Sequence, residues 1–219
     1  MDQIIDLLPT LLEATGETLY LVSISLIFGG IGGLVLGLAL YVTRRGGIYA
    51  NRGVFTVLNV IVNFFRPIPF IIFIPAMQPL IRPVIGTGIG NNAMIMAISL
   101  AAIFGISRIV EQNLVTVPHG VLEASRASGA SRLRTIWSVV LPEALGPLIL
   151  GYTFIFVAIV EMSALAGYLG GGGLGSFAIQ WGFRQFEPVV TWSAVIVIVI
   201  IVQVVQYLGN TLARKVLRR

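Results

Sequence analysis

Five long apolar runs, separated by short polar segments, set the pattern of this chain from one end to the other. Residues 18–42 form a run of 25 without a charged side chain. As a helix that run would measure about 37 Å at roughly 1.5 Å per residue, enough to cross a hydrocarbon core of about 30 Å with some tilt. Further spans are predicted at about 54–81, 92–110, 144–166 and 189–208, with a polar region at 111–143 between the third and the fourth. The second run is interrupted by Arg66-Pro67-Ile68-Pro69, with Pro75 and Pro79 beyond, and Gly86-Thr87-Gly88-Ile89-Gly90 reads as a turn. The whole chain is read as one transmembrane domain, an all-α integral membrane protein with five transmembrane helices.

Charge orients the spans. Arg44, Arg45, Arg52, Arg108, Arg126, Arg132, Arg134, Arg214, Lys215, Arg218 and Arg219 fall in one alternate set of inter-span regions. The other set holds only Arg82 and Arg184, and Arg66 lies within a span. Cytoplasmic segments carry the excess of lysine and arginine, so the C-terminus is expected in the cytoplasm. The N-terminus, with Asp2, Asp6, Glu13 and Glu17 and no base in its first 17 residues, is expected outside. The lack of basic residues there also argues against a cleavable signal peptide.

Composition narrows the functions. Hydrophobic residues make up 57% and charged residues 11%, against about 25% charged in soluble domains, and the mean hydropathy is +0.96. There is no cysteine, and the single histidine, His119, cannot build a multi-histidine metal site. Lys215, the only lysine, lacks the Gly-Lys-Ser/Thr setting of a phosphate-binding loop, so any ATP energy must come from a partner. A pI near 10.1 comes from cytoplasmic loops and not from a basic nucleic-acid face.

A polar connection of this length within a small membrane domain asks for a reason. Pro118 suits a first helical turn, Gly129 a C-terminal stop, and Ser131 the cap of a second helix running to about Leu141-Pro142. The residues Glu123-Ala124-Ser125, Gly129, Val139 and Leu141-Pro142 resemble, at every spacing, the EAA loop of ATP-binding-cassette import permeases. Ser125 for alanine and Val139 for isoleucine are the two departures. The segments Asn63-Phe64-Phe65-Arg66-Pro67-Ile68-Pro69-Phe70-Ile71, Val84-Ile85-Gly86-Thr87, Arg108-Ile109-Val110-Glu111, Pro118-His119-Gly120, Ser163-Ala164 and Gly171-Gly172-Gly173-Leu174-Gly175 are similar to the methionine importer permeases of that class.

The resemblance implies a type I importer permease fold in a bacterial inner membrane. It implies a homodimer, a homodimeric ATPase that binds ATP and magnesium, and an extracytoplasmic methionine-binding lipoprotein. This chain would bind no cofactor itself; its remaining partner is membrane lipid, with no role for nucleic acid. Glu123, Ala124, Ser125, Arg126, Ala127, Gly129, Leu141 and Pro142 would couple to the ATPase. Ser163, Ala164 and Leu165 are the gate candidates, Leu165 falling where the family narrows its pore.

Arg66 and Glu161 are the charges placed deep within spans, Arg108 lying only at the inner end of the third. Measured along straight helices they lie about 17 and 24 Å from the inner end, close enough for a pair bracing the gate, since an unpaired charge there is costly. Snorkelling of Glu161, or capture of carbonyls by Arg66, are the alternatives. The prolines of the second span are read equally as pore lining or as a kink. Gly29, Gly33 and Gly37 make a ridge suited to close helix packing. Gly170, Gly172 and Gly175 match a dinucleotide spacing without its strand, and read better as a flexible outer turn. A secondary transporter would show an internal inverted repeat, absent here, and a membrane enzyme would need nucleophile, base or metal ligands that this sequence lacks.

Overall fold

Helix α1 (Asp2–Thr43) runs straight through the first apolar run. The computed structural model describes residues 2–217, with side chains from residue 6 onward; Arg218 and Arg219 of the basic tail lie outside the described residues. Next come α2 (Arg52–Phe65), α3 (Phe70–Ile85), α4 (Asn91–Val115) and the short inner helix α5 (His119–Ala127). The segment α6 (Arg132–Thr135) widens into a π-turn at Ile136–Val140 and continues as α7 (Leu141–Glu143). The last elements are α8 (Leu145–Tyr168), α9 (Gly173–Phe177) with its π-helical extension Ala178–Phe183, and α10 (Pro188–Leu217). No strand occurs among the described residues.

The glycine ridge decides how the first layer packs. A Cβ on Gly29 would sit 2.7 Å from that of Ala102, one on Gly33 2.5 Å from that of Ile106, and one on Gly37 2.5 Å from the Ser107 carbonyl. Contacts ascending together along both helices mean that α1 and α4 run parallel, backbone close to backbone, as small-residue ridges allow. Helix α8 runs against α4, with Gly151 on Ile109 and Gly105 facing Ile155, and α10 runs against α8, with Gly209 on Thr153 and Gly146 on Leu217. The core lies between α1, α4 and α8, where Leu21, Met94, Ile98, Ile106, Leu114 and Ile159 are fully buried.

The second apolar run is not a single rod. It breaks between Phe65 and Phe70, and the two halves bend by 119°. Helix α2 ends at Phe65, with Arg66 still at helical angles although a proline follows it; Pro69, the second residue in three without an N–H, then takes an extended angle as the N-cap of α3. Four helices are long and apolar enough to span a membrane alone, and the bent pair makes a fifth crossing. Its ends require this. α1 ends beside α5 on the inner side, through Tyr41 and Leu122, whereas α4 starts beside Glu17 on the outer side. The pair must therefore carry the chain back across once, leaving the N-terminus outside and the C-terminus inside.

Candidate coupling loop and translocation face

The polar connection folds as its capping residues dictate. Pro118 is the N-cap residue of α5, with extended angles, so the helix starts one residue later than expected, at exposed His119. It stops at Gly129, whose φ of 74° lies in the left-handed region, and the amide of Ala130 donates to the Ser125 carbonyl at 3.2 Å. The Ser131 hydroxyl accepts from the Arg134 amide at 3.3 Å and caps α6. Pro142 has no N–H for the preceding turn, and the π-turn ahead of it, closed by the Leu141 amide on the Ile136 carbonyl, is the local response.

Two residues seat α5 on the body. Leu122 is buried in the main core, and the Ser125 hydroxyl lies 3.0 Å from that of Thr135, itself buried and bonded to the Ser131 carbonyl. The departure from alanine at position 125 thus supplies a polar tie between α5 and α6. The opposite face shows Glu123, Ala124, Arg126, Ala127 and Gly129 to solvent. Leu141 is half-buried and Pro142 exposed. Small side chains flanked by two charges, on a helix fixed from behind, make a platform that a second protein can approach closely.

The intramembrane candidates fare differently. Arg66 and Glu161 are both exposed and form no pair; the ion pair found among the described residues joins Arg108 to Glu111. The depth argument assumed a straight second span, and the 119° bend removes that premise. Arg108 instead reaches across to α2, donating to Asn59 and Asn63 at 2.7 Å each, while Phe65 stacks on Phe104 at 4.7 Å. This cluster pins the inner half of the bent pair to α4. Of the gate candidates, Ser163 is buried and its hydroxyl donates back to the Val160 carbonyl at 2.7 Å; Ala164 and Leu165 are half-buried.

Two further features stand out, the prolines of the second span that the sequence already marked and a clamp that it did not. Pro75, Pro79 and Pro83 all lie within α3, four residues apart, and all are exposed. Each removes the donor for the carbonyl four residues earlier, so the carbonyls of Ile71, Pro75 and Pro79, on one side of the helix, lose their regular helical partner. In a membrane such carbonyls need a partner from a neighbouring helix, a side chain or water. The second feature is a clamp at the outer end. The Glu17 carboxylate accepts from the Gly173 amide at 2.7 Å and from the Asn91 side-chain amide at 3.1 Å. Asn91 accepts from the Gly172 amide at 2.8 Å, and Thr18 from the Leu174 amide at 2.8 Å. The glycine-rich turn is therefore tied down, and the expectation of a flexible turn is corrected.

A polytopic all-α chain with a bent second crossing and a short, partly exposed helix on its inner face has the plan of a membrane transport permease. It belongs to the family of binding-protein-dependent transport system inner membrane components, which matches residues 29–219, and so is a multi-pass inner-membrane protein of an ABC transporter. Among its relatives, the probable D-methionine transport system permease protein MetI of Vibrio cholerae is 37% identical over 94% of this chain and 92% of its own. The like-named protein of Haemophilus influenzae is 40% identical over 93% of this chain and 95% of its own. A chain of the MetNI methionine ABC transporter, solved in inward-facing conformations, superposes with a TM-score of 0.92 at 38% identity, over 99% of each chain. An amino acid ABC transporter solved with histidines shares the fold, with a TM-score of 0.79 at 18% identity.

Proposed function

We propose that this chain is the permease subunit of an ATP-driven methionine importer, working as a homodimer, for the L- and D-forms. It hydrolyses nothing itself: ATP and magnesium are held by a separate homodimeric ATPase, and an extracytoplasmic binding lipoprotein delivers the solute. The observation that carries the reading is α5, a short helix with Leu122 buried behind and Glu123, Ala124, Arg126 and Ala127 open in front. Closure of the ATPase dimer pushes on this face, and the tie from Ser125 to Thr135 passes the displacement to the segment feeding α8. Relatives 37% and 40% identical over more than nine-tenths of the chain, named as D-methionine permeases, support the choice of solute.

Within the dimer the proline face of α3 lines the aqueous path, where water or solute can satisfy the carbonyls of Ile71, Pro75 and Pro79. Leu165, half-buried near the outer end of α8, narrows that path, with Ala164 setting its position against Gly175. Proteoliposomes holding the chain with its ATPase and binding protein test the reading. ATP-dependent uptake of labelled L- and D-methionine is expected, with histidine and leucine excluded. Equal uptake of all four amino acids, or uptake without ATP, would overturn it.

A further inference from the structure

Between the inner end of α1 and one flank of α5 lies a small, partly open cavity of about 60 Å³, walled by Tyr41, Arg44, the turn at Gly46 and Gly47, and by His119, Leu122, Glu123 and Arg126 of α5. At about 30 Å³ per water, that is room for two waters or for one phosphate group. Its walls carry two guanidinium groups and an imidazole against one carboxylate. Arg44 directly follows the last residue of α1; its guanidinium lies over the Tyr41 ring, 4.8 Å from the centroid, which fixes its plane. Its Nε is buried and has no hydrogen-bond partner. Glu123, although it shares the wall, makes no ion pair with Arg44 or Arg126 among the described residues; the pair found there is Arg108–Glu111.

A buried, unpaired N–H of a cation is costly to leave unmade, and a guanidinium is the group best shaped to meet two oxygens of a phosphate. The setting adds to this. The loop that follows α1 carries Arg44 and Arg45 without an acid, and α2 begins with Arg52; Arg132 from α6 lies over Tyr49, 5.5 Å from the ring centroid. These arginines gather at the inner end of α1, just past its apolar run, and anionic lipid is drawn to basic clusters beside a span on the cytoplasmic side.

We propose that this cavity binds a phosphate group, supplied by the headgroup of an anionic phospholipid of the inner leaflet, with Arg44 and Arg126 as its ligands. The bound phosphate bridges the inner end of α1 to the Arg126 flank of α5, so that the lipid stiffens the helix through which the ATPase acts. The inference rests on the inner-side placement of α5, and holds whichever solute the permease carries.

The test uses the permease–ATPase complex in nanodiscs of phosphatidylcholine, with increasing fractions of phosphatidylglycerol. Amide exchange is followed in residues 41–48 and 119–127. Phosphatidylglycerol slows exchange in both segments of the wild-type complex. In Arg44→Gln the fraction needed for half the effect rises about fivefold, the factor expected for one arginine fewer near an anionic surface, while Arg44→Lys recovers part of it. Unchanged exchange in residues 91–115 shows that the variant is folded, and an unchanged yield of copurified ATPase separates this site from the docking reading. A parallel arm adds inorganic phosphate to phosphatidylcholine nanodiscs. Slowing there, lost in Arg44→Gln, assigns the site to free phosphate instead of a headgroup. No slowing in either arm, equal slowing in Arg44→Gln, or slowing by the ATPase alone whatever the lipid, would overturn the proposal; in the last case the cavity belongs to the partner interface.

Discussion

Gly129 holds a backbone angle that an L-residue adopts at a cost of about 1–2 kcal/mol, and it directs the chain from α5 into α6. Gly129→Val is therefore expected to displace the docking platform and to lower copurification of the ATPase severalfold, while the spans remain folded by circular dichroism. At the other end of the molecule, Glu17 satisfies two donors that nothing else meets, the Gly173 amide and the Asn91 side chain. Glu17→Ala leaves both unpaired, at about 1–3 kcal/mol for a buried polar group. A lower melting temperature and faster amide exchange at residues 170–175 should follow, with Glu17→Gln milder because its carbonyl still accepts. Glu17 counted in the sequence only as one of four outer acids. Its partner lies 156 residues away, and no local pattern signals a contact of that range.

Helices were legible where a local rule governs them. The ridge of Gly29, Gly33 and Gly37 meets α4 as its spacing predicts, because close packing of helices in lipid depends on the absence of side chains. Gly33→Leu must push Ile106 away and should cost about 1–3 kcal/mol or more, read as loss of folded protein on extraction. Gly16→Ala on the same helix, where a Cβ meets nothing within 4 Å, should have no such effect. The caps at Ser131 and Gly129 were legible for the same reason. The second span was not: its prolines announced an interruption, but a proline says little about how far the chain turns. A bend of 119° invalidated the straight-helix depths, and with them the pairing of Arg66 with Glu161. The charge that does brace this region, Arg108, is held by asparagines of α2, placed there by tertiary packing alone. For α3 the expectation is concrete. Pro79→Cys reacts with a water-soluble thiol reagent in the assembled complex. Failure to react, with ready labelling by a lipid-soluble maleimide, would contradict a pathway face.

Across the whole molecule, the five crossings fix which ends can act together. α1 and α4 descend in parallel, the bent pair that links them in the chain returns once, and α8 and α10 close the set, so both the polar loop before α8 and the C-terminal end of α10 emerge on the inner side. The outer end is closed by the clamp from Glu17 and Asn91 to the glycine-rich turn, the inner end by α5 on its platform, and α8 runs from one to the other. Displacement of α5 thus has a packed route through α6, the π-turn and α7 into α8, which carries Ala164 and Leu165. Family membership supplied what physics could not, the assignment to a binding-protein-dependent transport system.

The account depends most on force entering through the open face of α5 from the cytoplasmic side. Single cysteines at Ala124 and Ala127, in a chain that has none of its own, can be labelled with a membrane-impermeant thiol reagent in oriented vesicles. Labelling from the inner side, with at least about tenfold protection once the ATPase is assembled, is the predicted result; a change of that size reflects burial worth about 1.4 kcal/mol or more. Labelling from the outer side only, or equal labelling with and without the ATPase, would contradict it.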